Sequence, residues 1–218
     1  LFDEFVVTID NLKAQPSMQA YPIPEADHQV EEVIKNSRFI TRVFKLTSFE
    51  DAKNLVQQQK IEFPDARHHC YAFIAGSPTQ HSLMGFSDDG EPSGTAGKPM
   101  LAVLQGSGIG HILAVSIRYF GGTKLGTGGL VKAYAGGVKL ALASLATQVY
   151  VPKDEYKIGC DYRHLDQINY WLAQASADII TTDFTDKVWL TVAIADNEKE
   201  ELMSKLGEMQ LQLEPREA

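Results

Sequence analysis

The 218-residue chain carries 20 Lys and Arg against 28 Asp and Glu, a net charge of −8, and 44% of its residues are hydrophobic. These proportions suit one large domain or two modest ones, each burying its own core. The acidic balance excludes a protein that coats nucleic acid with its whole surface, and no apolar run approaches the roughly 20 residues of a membrane span.

The charge is unevenly spread. Residues 26–147 hold 12 Lys and Arg against 10 Asp and Glu, whereas residues 148–218 hold 7 against 14. A surface that grips phosphates therefore belongs to the first half, around Lys98, Arg118, Lys124, Lys132 and Lys139. The two cysteines, Cys70 and Cys160, lie far apart without a CxxC pair, and they read as free buried thiols of a reducing cytoplasm with no disulfide-linked partner.

Residues 1–27 contain Pro16, Pro22 and Pro24, show no sustained period and no basic-then-apolar leader, and read as an N-terminal tail outside the fold. Met18 stands where a natural start would fall. From Ser37 the alternation through Leu46 predicts a strand. Ser48 then caps a helix with Phe49, Ala52, Leu55, Val56 and Gln59 in sequence and Asp51 in its acidic first turn. His69–Ala75 and His81–Phe86 flank Gly76-Ser77-Pro78-Thr79-Gln80, a hairpin signal. The acidic loop Ser87–Gly94 follows, then a helix over Thr95–Gly106 with Met100, Leu101 and Leu104 inward. His111–Ile117 is a strand buried on both faces. Beyond a glycine-rich loop, Leu130, Ala133, Tyr134, Val138, Ala141, Leu142 and Leu145 repeat at helical spacing to about Gln148, with Pro152 beyond as a breaker.

After residue 148 the pattern starts afresh. Strands are expected over Tyr156–Tyr162, Ile179–Phe184, Val188–Ile194 and Met209–Leu213, with helices over His164–Ala175 and around Leu202, Met203 and Leu206. That β-α-β-β-α-β order is ferredoxin-like. The fold class is therefore α+β in two domains, residues 28–148 and 149–218.

The richest stretch is Arg118–Leu130, which joins the buried strand to a helix through five glycines, Lys124, Tyr119 and Phe120. A strand, a glycine-rich turn and a helix N-terminus make an anion site, because the first helical N–H groups lack intrahelical partners. The same glycines also suit tight turns and close packing. Standard nucleotide loops fail here. Val131 stands where a dinucleotide fingerprint starting at Gly126 needs its third glycine, and Gly90–Pro99 has Pro92 and Pro99 at two defining places of a phosphate loop. Candidate anion or RNA contacts are Lys98, Arg118, Tyr119, Gly121, Gly122, Lys124, Gly126, Gly128 and Gly129. In the acidic loop, Asp88, Asp89 and Glu91 are close enough to converge on a cation, or form a solvated turn capped by its own aspartates. No metal site is assigned. Arg118 is expected within salt-bridge reach of one of these three carboxylates, with Phe120 either stacking on bases or entering the core. His68 and His69 are neighbours in a strand and face opposite ways, so they do not chelate one metal together. His69 reads as a satisfied, partly buried histidine. Cys70 lacks an activating environment, and no catalytic residue is assigned.

Gly85–Pro92, Gly94–Pro99, Arg118–Gly122 and Leu125–Tyr134 together closely resemble the IMPACT family, in its bacterial YigZ-like branch. Lys35–Ile40 and Asp65–Cys70 match as well, and the likeness extends over roughly residues 30–213. The resemblance implies an N-terminal βαβ-rich domain like the fourth domain of elongation factor G, and a C-terminal domain like its ferredoxin-like fifth domain. Eukaryotic members regulate translation through an extra partner-binding domain that this chain lacks. The resemblance establishes no catalytic residues and implies no cofactor. The expectation is a non-enzymatic, translation-associated cytoplasmic protein that regulates translation or a stress response by binding RNA, the ribosome or a translation-factor partner. The alternative is an enzyme acting on a phosphorylated small molecule or nucleotide in the cleft between Asp88, Arg118 and the glycine loop.

Overall fold

A computed structural model describes residues 19–209 and 211–215. The chain divides into two compact units, one over Tyr21–Tyr150 and one from Val151 onward. Met18 and the residues before it lie outside the described residues.

The first unit begins with strand β1 (Tyr21–Pro24), then β2 (His28–Ile34) and β3 (Ser37–Lys45). β2 and β3 form a hairpin whose two turn residues, Lys35 and Asn36, both have positive φ, 46° and 63°. That is the geometry of a type I′ turn, whose twist matches the flanking strands. Helix α1 (Phe49–Glu62) starts from Ser48, which accepts from the Asp51 N–H while the Asp51 carboxylate accepts from the Ser48 N–H. This reciprocal pair satisfies two of the donors that a helix start leaves free. Strands β4 (His68–Ile74) and β5 (Met84–Ser87) pair antiparallel. Helix α2 (Gly97–Ser107), strand β6 (Ile112–Tyr119), helix α3 (Thr127–Ser144) and strand β7 (Thr147–Tyr150) complete the unit.

The main sheet has the order β2-β3-β6-β4-β5, antiparallel throughout. α1 covers one face, packing Ala52 and Val56 against Ile40, Phe73, Leu113 and Val115. α2 and α3 cover the other, packing Met100, Leu104, Tyr134 and Val138 with Phe39, Ala72 and Ala114. β6 lies at the centre, which is why its apolar run is continuous instead of alternating.

Part of the tail expected to lie outside the fold belongs to it. Tyr21–Pro24 pairs with Thr147–Tyr150, and Tyr21 and Ile23 are buried. The prolines are tolerated because Pro22 presents its backbone away from β7, where its carbonyl accepts from the Gly110 N–H at 3.0 Å. Likewise α3 stops at Ser144, short of Gln148, and the last residues before Val151 are the strand β7.

The second unit holds strand β8 (Lys153–Cys160), helix α4 (Leu165–Gln174), strands β9 (Asp178–Phe184) and β10 (Val188–Ala195), helix α5 (Asp196–Glu208) and the two-residue strand β11 (Glu214–Pro215). Its sheet order β11-β8-β10-β9 is the ferredoxin-like arrangement read from the sequence. Ile168 and Leu172 of α4 and Leu202 and Leu206 of α5 pack on Tyr156, Ile158, Leu190 and Val192, so both helices share one face. The last strand falls at Glu214–Pro215, opposite Lys157 and Tyr156, later than the expected Met209–Leu213.

Candidate anion-binding pocket

The pocket is built where β4 begins and β6 ends, beside the start of α3. The ladder sets His68 directly opposite Arg118, and Phe39 of β3 opposite Arg118 on the other side. Opposed residues share a sheet face, so all three project toward α2 and α3. The loop after β5 is drawn over them by three carboxylates that point in three directions.

Asp88, only 9% exposed, accepts from the N–H groups of Gly94, Ala96 and Gly97 at 2.7–2.9 Å. It thereby caps α2, whose own N-cap residue is Ala96 and supplies no side-chain acceptor. Asp89 accepts from Lys60 Nζ at 2.7 Å and from the His69 N–H at 2.6 Å. Glu91 turns inward, accepting from Arg118 Nη1 at 2.5 Å and from the Tyr134 hydroxyl at 2.8 Å. The expected Arg118 bridge is therefore made, to Glu91. The loop is capped by its own Asp88, as one of the two readings had it, with its carboxylates paired instead of converging on a cation, and among the described residues no cluster of His, Cys, Asp and Glu could hold a metal ion.

Arg118 is held on every side. Its guanidinium lies over the rings of Phe39 and Phe120, at 5.4 and 5.7 Å, and Nη2 donates to Ser37 Oγ at 3.4 Å. Its Nε, though buried, finds no acceptor among the described residues. A buried donor without an acceptor costs free energy, which the pairing of the same guanidinium with Glu91 offsets.

Arg118 also lines a cavity of about 460 Å³, together with Arg67, His68, Phe120, Lys124, Gly126 and Thr127. Gly126 is the N-cap of α3, with φ 75°, and has no side chain to satisfy the first N–H groups of the helix. Neither Arg67 nor Lys124 is in an ion pair among the described residues, and both are exposed. With Arg118 neutralised by Glu91, two free cations and an uncapped helix N-terminus leave this cavity positive. It suits an anion of phosphate type.

Thiol chemistry finds no support here. Burial pushes the Cys70 thiol well above its usual range, and its Sγ–H donates to the Asp88 carbonyl at 3.0 Å. His69 is buried and lies on the opposite face from His68, with Nε2 donating to the Phe63 carbonyl at 3.2 Å.

Residues 35–142 match the Impact N-terminal domain, and residues 158–209 match a domain of unknown function, DUF1949. The chain is 50% identical over 191 residues to the IMPACT family member YigZ of Escherichia coli strain K12, covering 88% of this chain and 94% of that protein. The chain belongs to the IMPACT family. An IMPACT family member of Haemophilus influenzae is 44% identical over 191 residues, with 88% and 93% covered. A crystal structure of a hypothetical protein superposes with a TM-score of 0.79 at 49% identity, over 92% of this chain and 98% of that one. Every residue named as lining the pocket falls in the Impact N-terminal domain.

Within this IMPACT domain the residues singled out from sequence separate. Arg118, Lys124, Gly126 and Glu91 line the pocket. Tyr119 does not, because one residue along a strand reverses the face. It packs on the α1 side under Arg38, at 5.5 Å. Gly121 is structural, since a Cβ there would run into the Asn36 carbonyl oxygen. Gly122, Gly128, Gly129 and Lys98 lie outside the lining, and Lys98 is exposed on α2. Arg67 and His68 lie outside the glycine motif, and Thr127, though within it, was not among the candidate contacts. The sequence signal for His68 was its place at the entry of a strand, which became informative only once that strand's partner was known. Phe120 stays 44% exposed at the pocket instead of entering the core.

Proposed function

We propose that this IMPACT-family chain is a non-enzymatic, translation-associated protein of the cytoplasm that binds RNA through the pocket at the start of α3. The uncapped helix N-terminus in the wall of the pocket carries this reading, with exposed Arg67 and Lys124 adding positive charge. Phosphate groups satisfy exposed helix N–H groups and arginine together. Exposed Phe120 beside them gives a surface on which a base stacks. Family membership supports the link to translation, and the acidic segment 148–218 leaves the grip on phosphates to the first unit.

Ultraviolet crosslinking of the full chain to single-stranded RNA, followed by peptide mapping, tests the reading. Crosslinks are expected in peptides spanning residues 118–130 and 67–71. Crosslinks confined to residues 151–215, or none, would turn the search toward a ribosomal or translation-factor protein partner.

A further inference from the structure

Three features of the pocket ask for more than a phosphate. Its volume of about 460 Å³ falls in the range of sites for whole small molecules. Phe120 stands 44% exposed on its wall, with Arg118 lying against the ring. The third feature is the orientation of His68. Its Nδ1 lies 2.8 Å from the Asp89 carbonyl oxygen, which can only accept, so Nδ1 carries the ring proton. In the neutral ring Nε2 is then an acceptor. It stands 3.9 Å from Glu91 Oε1, beyond hydrogen-bond reach, and that carboxylate oxygen already accepts from Arg118 and Tyr134.

The turn that fixes this tautomer is built at some cost. Asp89, a non-glycine residue, has φ 41°, and Gly90 follows with φ 83°. Such strain persists where the surroundings enforce it, and here it holds a carbonyl on His68. The result is an imidazole, 13% exposed, in the wall of the cavity, whose Nε2 has no hydrogen-bond partner among the described residues and in the neutral ring is an acceptor. The phosphodiester of an RNA strand has no proton to offer His68 at neutral pH. A hydroxyl does.

We propose that the pocket receives one unstacked ribonucleotide of a single strand. Its phosphate sits at the start of α3 with Lys124, its base stacks on Phe120, and its ribose 2′-hydroxyl donates to His68 Nε2. His68 is then the residue that distinguishes RNA from DNA, because only ribose carries that hydroxyl. The proposal rests on the RNA reading above and adds to it the size of the unit bound and the source of sugar specificity.

The test compares a short oligouridylate with the deoxy oligomer of the same length and bases, by fluorescence anisotropy on the full chain. Wild type is expected to bind the ribo form about tenfold more tightly, the worth of one hydrogen bond. His68→Ala should lower ribo affinity to the deoxy level and leave deoxy affinity unchanged. Phe120→Ala should weaken both oligomers, by fivefold or more on the order of one lost base stack, while Phe120→Tyr retains binding. Phe120 is exposed, so these two variants do not threaten the fold, and the wild-type comparison needs no variant. Equal affinity of wild type for the two oligomers, or a ribo preference that survives His68→Ala, would overturn the ribonucleotide site. The RNA reading would still stand in that case if Lys124→Ala weakened both. Binding of neither oligomer would overturn both.

Discussion

Arg118 Nη1 lies 2.5 Å from Glu91 Oε1, and the two side chains are only 7% and 4% exposed. The pair joins the end of the central strand to the loop after β5, and Tyr134 of α3 donates to the same carboxylate oxygen. Removing one partner leaves the other charge buried without compensation, which costs about 3–5 kcal/mol. Glu91→Ala should therefore lower stability by that amount in urea denaturation. Replacing both by apolar residues, as Glu91→Leu with Arg118→Met, should cost much less than the sum of the single changes. Additive losses would show that the two side chains do not act as a pair.

The neighbouring carboxylates should behave differently. Asp88 closes the loop by accepting three N–H groups at the start of α2, so Asp88→Ala should cost about 2 kcal/mol, as for a lost helix cap. Lys60 bonds Asp89 at the surface, and Lys60→Ala should cost less than about 1 kcal/mol. Equal losses in thermal melts would contradict the division of labour in this loop.

Much of this architecture was legible beforehand because its signals are local. Ser48 and Asp51 announce α1, the unbroken apolar run announces a central strand, and the strand and helix order after Val151 announces the ferredoxin-like unit. What was hidden depends on partners distant in sequence. Asp88 caps a helix that starts nine residues later, and His68 meets Arg118 only through strand pairing. β1 carries two prolines that argue locally against a strand, and its role appears only against Thr147–Tyr150. The β2–β3 turn uses Lys35-Asn36, without the glycine that usually marks such turns. The three acidic residues looked like one cluster because they are adjacent, yet the loop sends each to a different partner.

Acid should weaken the fold through two histidines. Burial holds His69 below the usual 6.5, opposed in part by Asp89, and burial with Lys45 nearby does the same for His111. The unfolded chain then takes up protons first. The stability these groups contribute is complete above about 6.5 and is lost as pH falls through their lowered folded values. Urea midpoints should drop between pH 7.5 and pH 5.5. His111→Asn, which tolerates the positive φ of 48° at this position, should flatten part of that dependence. A midpoint that rises on acidification would contradict the assignment.

Each unit has its own core, so residues 19–150 and 151–218 should fold separately. Ending the first fragment at Gln148 should weaken it, because this removes Tyr150, whose ring packs 5.3 Å from Tyr21 and 4.9 Å from His111. Circular dichroism melts of the fragments check this. Aggregation of both, with cooperative unfolding only in the whole chain, would argue for a single folding unit.

The central claim is that phosphates of RNA bind at the start of α3, and the salt dependence of RNA affinity in Lys124→Ala tests it most directly. Lys124 is exposed and outside every ion pair among the described residues, so its loss leaves the fold intact. For a single strand the slope of log K against log salt should become shallower by about 0.7, the value of one released phosphate contact, and affinity should fall at low salt. A wild-type affinity no tighter than roughly 10⁻⁴ to 10⁻⁶ M, the non-specific range, with a slope unchanged by Lys124→Ala, would contradict it.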